Sequence, residues 1–276
     1  MRNPNFTPDA LSIRGVILDW AGTAVDFGSR APVEAFVSAF AGLDIHISTA
    51  DARGPMGRAK RDHLAAVFEL PHVAAQWKQR YGREPTVADV DAVYGAFVPA
   101  QMAVLADFAK PIPGVVATIA SWRAQGIRIG STTGYTAAML DVVAAAAARQ
   151  GYAPDARVAG DQVPAGRPAP WMTWLNLQTL GIWPPAAVVK IGDTPADVAE
   201  GRNAGAWTVA LTSCGNEVGL SEAEFDALDA SARAQVLATA REILLRAGAH
   251  YIAESWADMP AIFVDINARL AAGERP

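Results

Sequence analysis

The chain has 276 residues, of which 51% are hydrophobic, so it can bury a full core and still carry an inserted domain. Its formal net charge of -5, from 23 basic and 28 acidic residues, leaves no basic surface of the kind that nucleic acid requires. The single cysteine excludes an intramolecular disulfide framework, the opening residues MRNPNFTPDALS lack an apolar signal region, and no apolar stretch reaches the roughly 20 residues of a membrane span. We therefore expect a cytoplasmic protein without nucleic-acid or membrane partners.

Predicted strands and helices alternate along most of the chain. Short apolar runs that end at Gly, Asp, Ser or Thr predict buried strands at residues 14–18, 127–131, 187–191 and 208–211. Near the C-terminus, HYIAES predicts a last strand and WADMPAIFVDINARL predicts a closing helix. Because helical patterns separate the strands, we predict an α/β fold in which right-handed crossovers build a parallel sheet.

One block of the chain departs from this alternation. Between Gly28 and Lys110 the segments VEAFVSAF, KRDHLAAVFEL and VADVDAVYGAFVPAQMAVL have helical periodicity, and no strand is predicted. The turn-forming segments FGSRAP and KPIPG border the block. We therefore predict an all-helical cap domain over residues 28–110, inserted after the first strand into a core domain formed by residues 1–27 and 111–276.

The segment VILDWAGTAVDFG holds the first candidate site residue. Asp19 ends an apolar strand, Thr23 follows four residues later, and Ala21 lies between them. A strand that stops at Asp and turns through Gly22 leaves the carboxylate at the carboxyl edge of the sheet. Ligands of open α/β sheets bind at that edge, so Asp19 is a candidate functional residue.

Two further segments carry groups that suit phosphate. In STTGY, the Thr133 hydroxyl and the Gly134 amide could contact a phosphate at the start of a helix, although a Thr before a helix also serves as a plain N-cap. In PAGRPAP, prolines stiffen the loop around Arg167, whose guanidinium is suited to holding phosphoryl oxygens. The alternative for Arg167 is an ordinary surface arginine.

The segment VVKIGDTPAD places Asp193 at the end of another predicted strand, with Asp197 four residues later. Taken alone, Asp-Thr-Pro could be only a helix cap. Together, the carboxylates of Asp19 and Asp193 and the carbonyl of Ala21 would form a hard, oxygen-rich site suited to Mg²⁺. We therefore expect these three residues to hold the metal.

The predicted cap contains a second candidate group. In ARGPMGRAKRDHLAAV, Met56, Lys60 and His63 stand at i, i+4 and i+7, so a helix through the segment would present all three on one face. RAKRD could instead be a solvated charged face, and a lone histidine could be a satisfied core or surface residue.

The four sheet-edge segments occur in the order Asp19, Thr133, Arg167, Asp193, which resembles the motif order of the haloacid dehalogenase (HAD) superfamily. The resemblance implies a Rossmannoid parallel-sheet core in which Asp19 is the nucleophile that accepts a phosphoryl group. It also implies a phosphate-binding set: Thr23, Thr133, Gly134 and Arg167. Most phosphatases of the superfamily carry an acid where this chain has Ala21, and that acid protonates the departing ester oxygen. We therefore do not expect cleavage of a simple phosphate ester.

The motifs DWAGT, TTGYT, PAGRP and GDT, together with Met56, Lys60 and His63, resemble the phosphonoacetaldehyde hydrolase (phosphonatase) family. The resemblance implies that Lys60 forms a Schiff base with an aldehyde and that His63, Met56 and Tyr135 match the family's other catalytic positions. Breaking a carbon–phosphorus bond leaves a carbanion, and a protonated imine is an electron sink for it. An alanine in place of the ester acid at position 21 and an imine-forming lysine at position 60 are therefore both expected for cleavage of a carbon–phosphorus bond.

The expected activity is hydrolysis of the carbon–phosphorus bond of phosphonoacetaldehyde to acetaldehyde and phosphate, with Mg²⁺ as cofactor. Two alternatives remain open at this point. One is a HAD phosphatase or phosphomutase that acts on a phosphate ester. The other is a catalytically silent HAD-like protein that binds a metabolite.

Family resemblance also implies a homodimer formed through the caps. The predicted cap carries more large apolar residues than a domain of its size needs for its own core, so we expect some of them to face a partner. These residues are Phe36, Phe40, Trp77, Tyr94, Phe97, Met102 and Leu105.

Overall fold

The computed structural model describes residues 11–276, in which six parallel strands form one sheet. The strands are β1 (Gly15–Leu18), β2 (Arg128–Thr133), β3 (Ala156–Ala159), β4 (Val188–Gly192), β5 (Trp207–Leu211) and β6 (Tyr251–Ala253). Their order across the sheet is β3-β2-β1-β4-β5-β6. The chain therefore has the predicted α/β Rossmannoid fold, with β1 at the centre between β2 and β4.

Residues of β1 alternate between the two faces of the sheet, as the pleat of a strand requires. Val16 and Leu18 pack in the large hydrophobic cluster, whereas Ile17 packs in a second cluster that includes Leu177 and Leu180. All four residues of β1 are buried, because helices cover both faces. The apolar run VIL therefore reports a strand that is covered on both sides.

Helices surround this sheet. Those that follow β1 directly are α1 (Ala31–Ala41), α2 (Thr49–Arg53), α3 (Lys60–Phe68), α4 (Pro71–Tyr81) and α5 (Val87–Val104). The others are α6 (Val115–Ala124), α7 (Ala137–Ala148), α8 (Trp171–Leu180), α9 (Pro195–Ala204), α10 (Glu222–Asp226), α11 (Ala230–Arg246) and α12 (Met259–Ala271). No helix of residues 11–276 combines the length and apolar character that crossing a membrane would need.

The five helices α1–α5 form the cap, and no strand of the sheet lies among them. Next to the cap, Val25 forms an isolated bridge to Pro111, so the chain leaves and re-enters the core at neighbouring points. This arrangement agrees with an all-helical insertion after the first strand. The exact bounds at residues 28 and 110 stay a prediction.

The structure corrects two of the sequence expectations on secondary structure. The strand β3 was not predicted, because it is only four residues long, lies at the sheet edge and carries the exposed Arg157 within ARVA. Met56 does not share a helix with Lys60, since α3 begins at Lys60 and Met56 lies in the turn before it. The prediction that one helix presents Met56, Lys60 and His63 on one face was therefore wrong.

The argument from apolar cap residues to a partner is also wrong. Phe36, Phe40, Phe97 and Leu105 are fully buried within the protomer, and Trp77 is 3% exposed. Tyr94 and Met102 are partly buried and pack against the same cluster. These side chains form the core of the cap, because stacked and tilted rings fill the space between its helices.

Candidate active site

The carboxyl ends of β1 and β4 place two carboxylates side by side. The Asp19 amide donates to the Ile191 carbonyl at 2.9 Å, which continues the β1–β4 pairing one residue past the strand. The Thr23 hydroxyl donates to Asp193 Oδ1 at 2.9 Å. Gly22 has φ +81°, and a Cβ there would lie 2.2 Å from Asp193 Oδ2, so only glycine lets the loop approach this closely.

A small cavity opens where the cap meets this sheet edge. Its lining residues come from both domains: Asp19, Ala21, Ser29, Pro32, Met56, Gly57, Lys60, Thr133, Gly134, Tyr135, Arg167 and Thr194. Three other predicted site residues, Thr23, His63 and Asp193, are buried but do not line the cavity. Most of the predicted site residues therefore line one cavity, and these three are buried outside its lining.

Charged side chains of the core are paired with one another. Arg167 Nη2 donates to Asp19 Oδ1 at 2.6 Å and lies 3.1 Å from Asp197 Oδ1, and Arg167 Nε donates to Glu200 Oε2 at 2.8 Å. Lys190 Nζ donates to Asp197 Oδ1 at 2.6 Å. Arg167 is therefore not the surface arginine of the alternative interpretation, because its guanidinium is buried against the candidate nucleophile.

Burial sets the protonation of the two edge carboxylates. It raises the pKa of Asp19, and the neighbouring Asp197 adds to the rise, while Arg167 and Lys190 oppose it. Burial also raises the pKa of Asp193 well above its usual value, and the nearby charges of Asp19 and Asp197 raise it further. Two carboxylates that destabilise each other in this way are a donor pair that a divalent cation would stabilise.

The acidic cluster is compact enough for a metal ion. Asp19, Asp193 and Asp197 each offer a carboxylate oxygen within 4.8 Å of the others. Burial alone would raise the pKa of Asp197, but Arg167 and Lys190 hold it below its usual value. Asp197 pairs with two cations and Asp19 with one, so Asp19 and Asp193 are the less compensated carboxylates and fit the expected Mg²⁺ better.

The simple helix-cap interpretations of two motifs do not hold. The N-cap of α7 is Thr136, whose hydroxyl accepts from the Met139 amide, and the N-cap of α9 is Thr194. Thr133 instead ends β2, where its hydroxyl accepts from the Tyr135 amide at 3.1 Å and lines the cavity. Neither Thr133 nor Asp193 is therefore explained by helix capping.

The cap contributes a buried amine to the cavity. Lys60 is 5% exposed, and its Nζ lies 5.0 Å from the ring centroid of Tyr135 and 5.7 Å from that of Phe36. Within residues 11–276, Lys60 forms neither an ion pair nor a side-chain hydrogen bond. Burial lowers the pKa of Lys60 to about 8, although Asp19 opposes the shift.

His63 lies behind Lys60 on α3 and is held in one orientation. Its ring stacks on Phe36 at 3.9 Å between centroids, and Nε2 is 2.8 Å from the Ala52 carbonyl. Because a carbonyl oxygen can only accept, Nε2 must carry the proton, and in a neutral ring Nδ1 then has a lone pair. Nδ1 is buried without a partner among the described residues. Burial lowers the pKa of His63 well below its usual value, and Lys60 lowers it further. The ring is therefore neutral.

Sequence reasoning missed several residues of the site. Lys190 and Glu200 complete the paired charges, and the Gly57 carbonyl accepts from Arg167 Nη1 at 3.2 Å, which joins cap to core. A lysine inside the apolar run VVKIG is the one signal that could have drawn attention to Lys190. The proximity of Gly57 is a consequence of cap docking and leaves no trace in the sequence.

Comparisons with known proteins agree with this geometry. The haloacid dehalogenase-like hydrolase family matches residues 13–205. The chain is 48% identical to phosphonoacetaldehyde hydrolase from Klebsiella pneumoniae over 96% of this chain and 99% of that protein. It is 46% identical to phosphonoacetaldehyde hydrolase from Syntrophobacter fumaroxidans over 100% of this chain and 99% of the relative.

A solved structure extends the agreement to three dimensions. The crystal structure of a phosphonoacetaldehyde hydrolase-like protein from Oleispira antarctica has a TM-score of 0.95 and 37% identity, over 97% of both chains. The fold, the sheet-edge carboxylates and the family match define a haloacid dehalogenase-like hydrolase. Within that superfamily, the chain belongs to the phosphonoacetaldehyde hydrolase family.

Proposed function

We propose that this chain hydrolyses the carbon–phosphorus bond of phosphonoacetaldehyde to acetaldehyde and phosphate. The observation that carries the proposal is Lys60, a buried amine without a counter-ion among residues 11–276, which faces the same cavity as Asp19. Ala21 lines that cavity at the position where ester phosphatases carry an acid. The names of relatives that match nearly the whole chain support the same substrate.

In the first proposed step, the Lys60 amine condenses with the substrate aldehyde, which releases water and gives a protonated imine. The amine must be neutral to attack, and a pKa lowered to about 8 leaves a usable neutral fraction near neutral pH. We propose that His63 and Tyr135 assist the proton transfers of this step, with Met56 keeping water away. Tyr135 and Met56 line the cavity, and the Nδ1 lone pair of the neutral His63 has no partner among residues 11–276.

In the second proposed step, the Asp19 carboxylate attacks phosphorus in line with the carbon–phosphorus bond. The bonding electrons pass into the protonated imine and give a neutral enamine, so no free carbanion forms. Arg167 is already 2.6 Å from Asp19 and would contact the phosphoryl oxygens together with Thr133 and Gly134.

The remaining steps restore the enzyme. Protonation of the enamine carbon and hydrolysis of the imine release acetaldehyde and the Lys60 amine. Water then cleaves the aspartyl phosphate on Asp19 and releases phosphate. Imine formation releases one water, whereas hydrolysis of the imine and of the aspartyl phosphate each consumes one. The net reaction therefore consumes one water per substrate.

We propose that Asp19, Asp193 and the Ala21 carbonyl hold Mg²⁺, which would neutralise phosphoryl charge when bound.

Thr23 was predicted to contact phosphate, but its hydroxyl donates to Asp193. This bond supports a role in orienting Asp193, and a phosphate contact by Thr23 stays a prediction. A cap-mediated homodimer and a cytoplasmic location are further proposals, and the dimer now rests on family resemblance alone.

The test is to incubate the purified protein with phosphonoacetaldehyde and Mg²⁺ and to measure phosphate and acetaldehyde. Equimolar release is expected, and borohydride added with substrate should inactivate the enzyme by reducing the imine. Mass mapping should find the adduct on Lys60. Release of phosphate from a phosphate ester, with none from phosphonoacetaldehyde, would favour the phosphatase alternative.

A further inference from the structure

A second set of contacts joins the cap to the core on the side of the sheet edge where Asp193 lies. Arg53 ends the cap helix α2, and its guanidinium extends out of the cap. Nη1 donates to the Gly28 carbonyl at 2.8 Å and to Asn216 Oδ1 at 3.1 Å, while Nη2 donates to the Gly219 carbonyl at 2.9 Å. One cap side chain therefore binds two acceptors of the core and the carbonyl at the first residue of the cap.

The backbone around this guanidinium is shaped to admit it. Gly219 has φ +68°, and a Cβ there would lie 2.7 Å from Arg53 Cζ. Gly28 has φ +84°, and a Cβ there would lie 2.1 Å from the Leu220 carbonyl oxygen. Both positions need glycine for conformation and for space, so the two carbonyls can approach the guanidinium closely.

The same contacts continue to the proposed metal ligand. Asn216 is 3% exposed, and its backbone N–H donates to Asp193 Oδ2 at 2.7 Å. Its side-chain Nδ2 donates back to the Arg53 carbonyl at 3.3 Å. Arg53 and Asn216 thus fix each other, and the loop that they fix also orients Asp193.

On the cap side, the contacts continue to the proposed amine. The Arg53 carbonyl accepts from the Met56 amide at 3.0 Å, which sets the turn that brings Met56 to the cavity. The carbonyl of the preceding Ala52 accepts from His63 Nε2, and His63 belongs to the helix that begins at Lys60. Hydrogen bonds on either side of the Ala52–Arg53 peptide therefore link the helix of Lys60 to Asp193.

We propose that Arg53 is a positioning residue that holds the cap closed, so that Lys60 and Asp19 face one substrate while Asp193 stays oriented. The inference rests on the proposed function, since it assumes that these residues act on the same molecule. Opening the cap here would break the contacts of the guanidinium with Asn216 and Gly219 of the core. A lysine offers a point charge without the planar fork, so it would restore only part of the contact.

The first experiment measures amide hydrogen exchange in Arg53→Met, which keeps an apolar stem but loses the donors. Exchange at Met56, Asn216 and Gly219 should become about tenfold faster or more, while the β4 amides keep their protection. Arg80→Met is the matched control, because Arg80 is a cap arginine in an exposed pair with Asp44. Equal exchange in the two variants would overturn the proposal, whatever reaction the protein catalyses.

The second experiment asks whether Arg53 acts through Asn216. Arg53→Met and Asn216→Ala should each raise about tenfold the Mg²⁺ concentration needed for half of the Mg²⁺-dependent rise in Tm, and the double variant should raise it no further. Additive effects would contradict the proposed route. If Arg53→Met does not melt cooperatively, Arg53→Lys replaces it and should show smaller changes in the same direction.

The third experiment follows Lys60 itself. The rate of borohydride trapping with phosphonoacetaldehyde should fall about 10- to 100-fold in Arg53→Met, with a similar loss in kcat and a smaller change in KM. An unchanged trapping rate would overturn the claim that Arg53 positions Lys60. If the parent protein neither turns over nor traps this substrate, the proposed function fails, while exchange and Mg²⁺-dependent melting still test the contact.

Discussion

Two lysines are buried in this protein, one in the core and one in the cap, and their neighbours differ. Lys190 in β4 is 1% exposed, with its Nζ 2.6 Å from Asp197 Oδ1 and 3.6 Å from Glu200 Oε2. Lys60 is 5% exposed and lies near two aromatic rings, without an ion pair within the described chain. The same side chain therefore serves as a counter-ion in one wall of the site and as a candidate nucleophile in the other.

The difference follows from the cost of burying charge. A buried charge is tolerated when it is paired and hydrogen-bonded, as it is around Arg167 and Lys190. A buried amine without such a partner becomes easier to deprotonate, which is why the pKa of Lys60 falls to about 8. The charged side chains of the core are thus compensated by one another, whereas burial of Lys60 in the cap favours loss of its proton.

The largest effect should come from removing the buried amine of Lys60. Lys60→Met should lower turnover of phosphonoacetaldehyde at least ~10⁴-fold, a barrier increase of about 5.5 kcal/mol, because no imine can form. Lys60→Arg should fail equally, since a guanidinium keeps the charge but does not condense. Steady-state assays with borohydride trapping would check this, and normal turnover in either variant would contradict the mechanism.

The free energy of unfolding should change by different amounts in the two lysine variants. Lys190→Met should lower the free energy of unfolding by about 3–5 kcal/mol, because it leaves Asp197 and Glu200 with too few cations. Lys60→Met should cause no such loss, since the buried amine that it removes has no ion pair within residues 11–276. Urea unfolding of both variants measures this contrast. Equal losses would mean that the two buried environments do not differ as the contacts indicate.

A smaller effect is expected from placing a carboxylate on the core side of the cavity. Ala21→Asp should lower turnover of phosphonoacetaldehyde about 100-fold, or roughly 2.7 kcal/mol, because the new charge repels Asp19 and the leaving group has no ester oxygen to protonate. Ala21→Asn is the matched neutral control and should lose less. If Ala21→Asp is as fast as the parent, the alanine is incidental to carbon–phosphorus cleavage.

The smallest effect is the pH dependence of the parent enzyme. The conjugate acid of Lys60 must lose a proton before attack, so kcat/KM and the trapping rate should rise about tenfold per unit below pH 8 and level off above it. Both should be measured from pH 6 to 10. A rise that continues to pH 10, as expected for an exposed lysine, would show that burial does not lower the pKa of Lys60.

The core could be predicted well because its signals are local. Segments such as VILD and VVKIGD are rich in apolar residues, and each ends at a polar residue where the sheet edge lies. The edge strand β3 gave no such signal, since ARVA is short and carries the exposed Arg157. The cap helices were predicted in part, but the assignment of Met56 to the helix of Lys60 was wrong, because spacing alone does not locate a helix start.

The sequence by itself determined the parallel α/β core, the helical cap, the sheet-edge carboxylates Asp19 and Asp193, and the absence of an acid at Ala21. These depend on strand periodicity and on motifs within a few residues. Only the tertiary structure decided that Lys60 has no ion pair within residues 11–276, that Lys190 and Glu200 balance the core charges, and that Arg53 reaches Asn216. Such properties depend on which distant segments exclude water from a side chain and which charges they bring near it, and neither is written in the local order of residues.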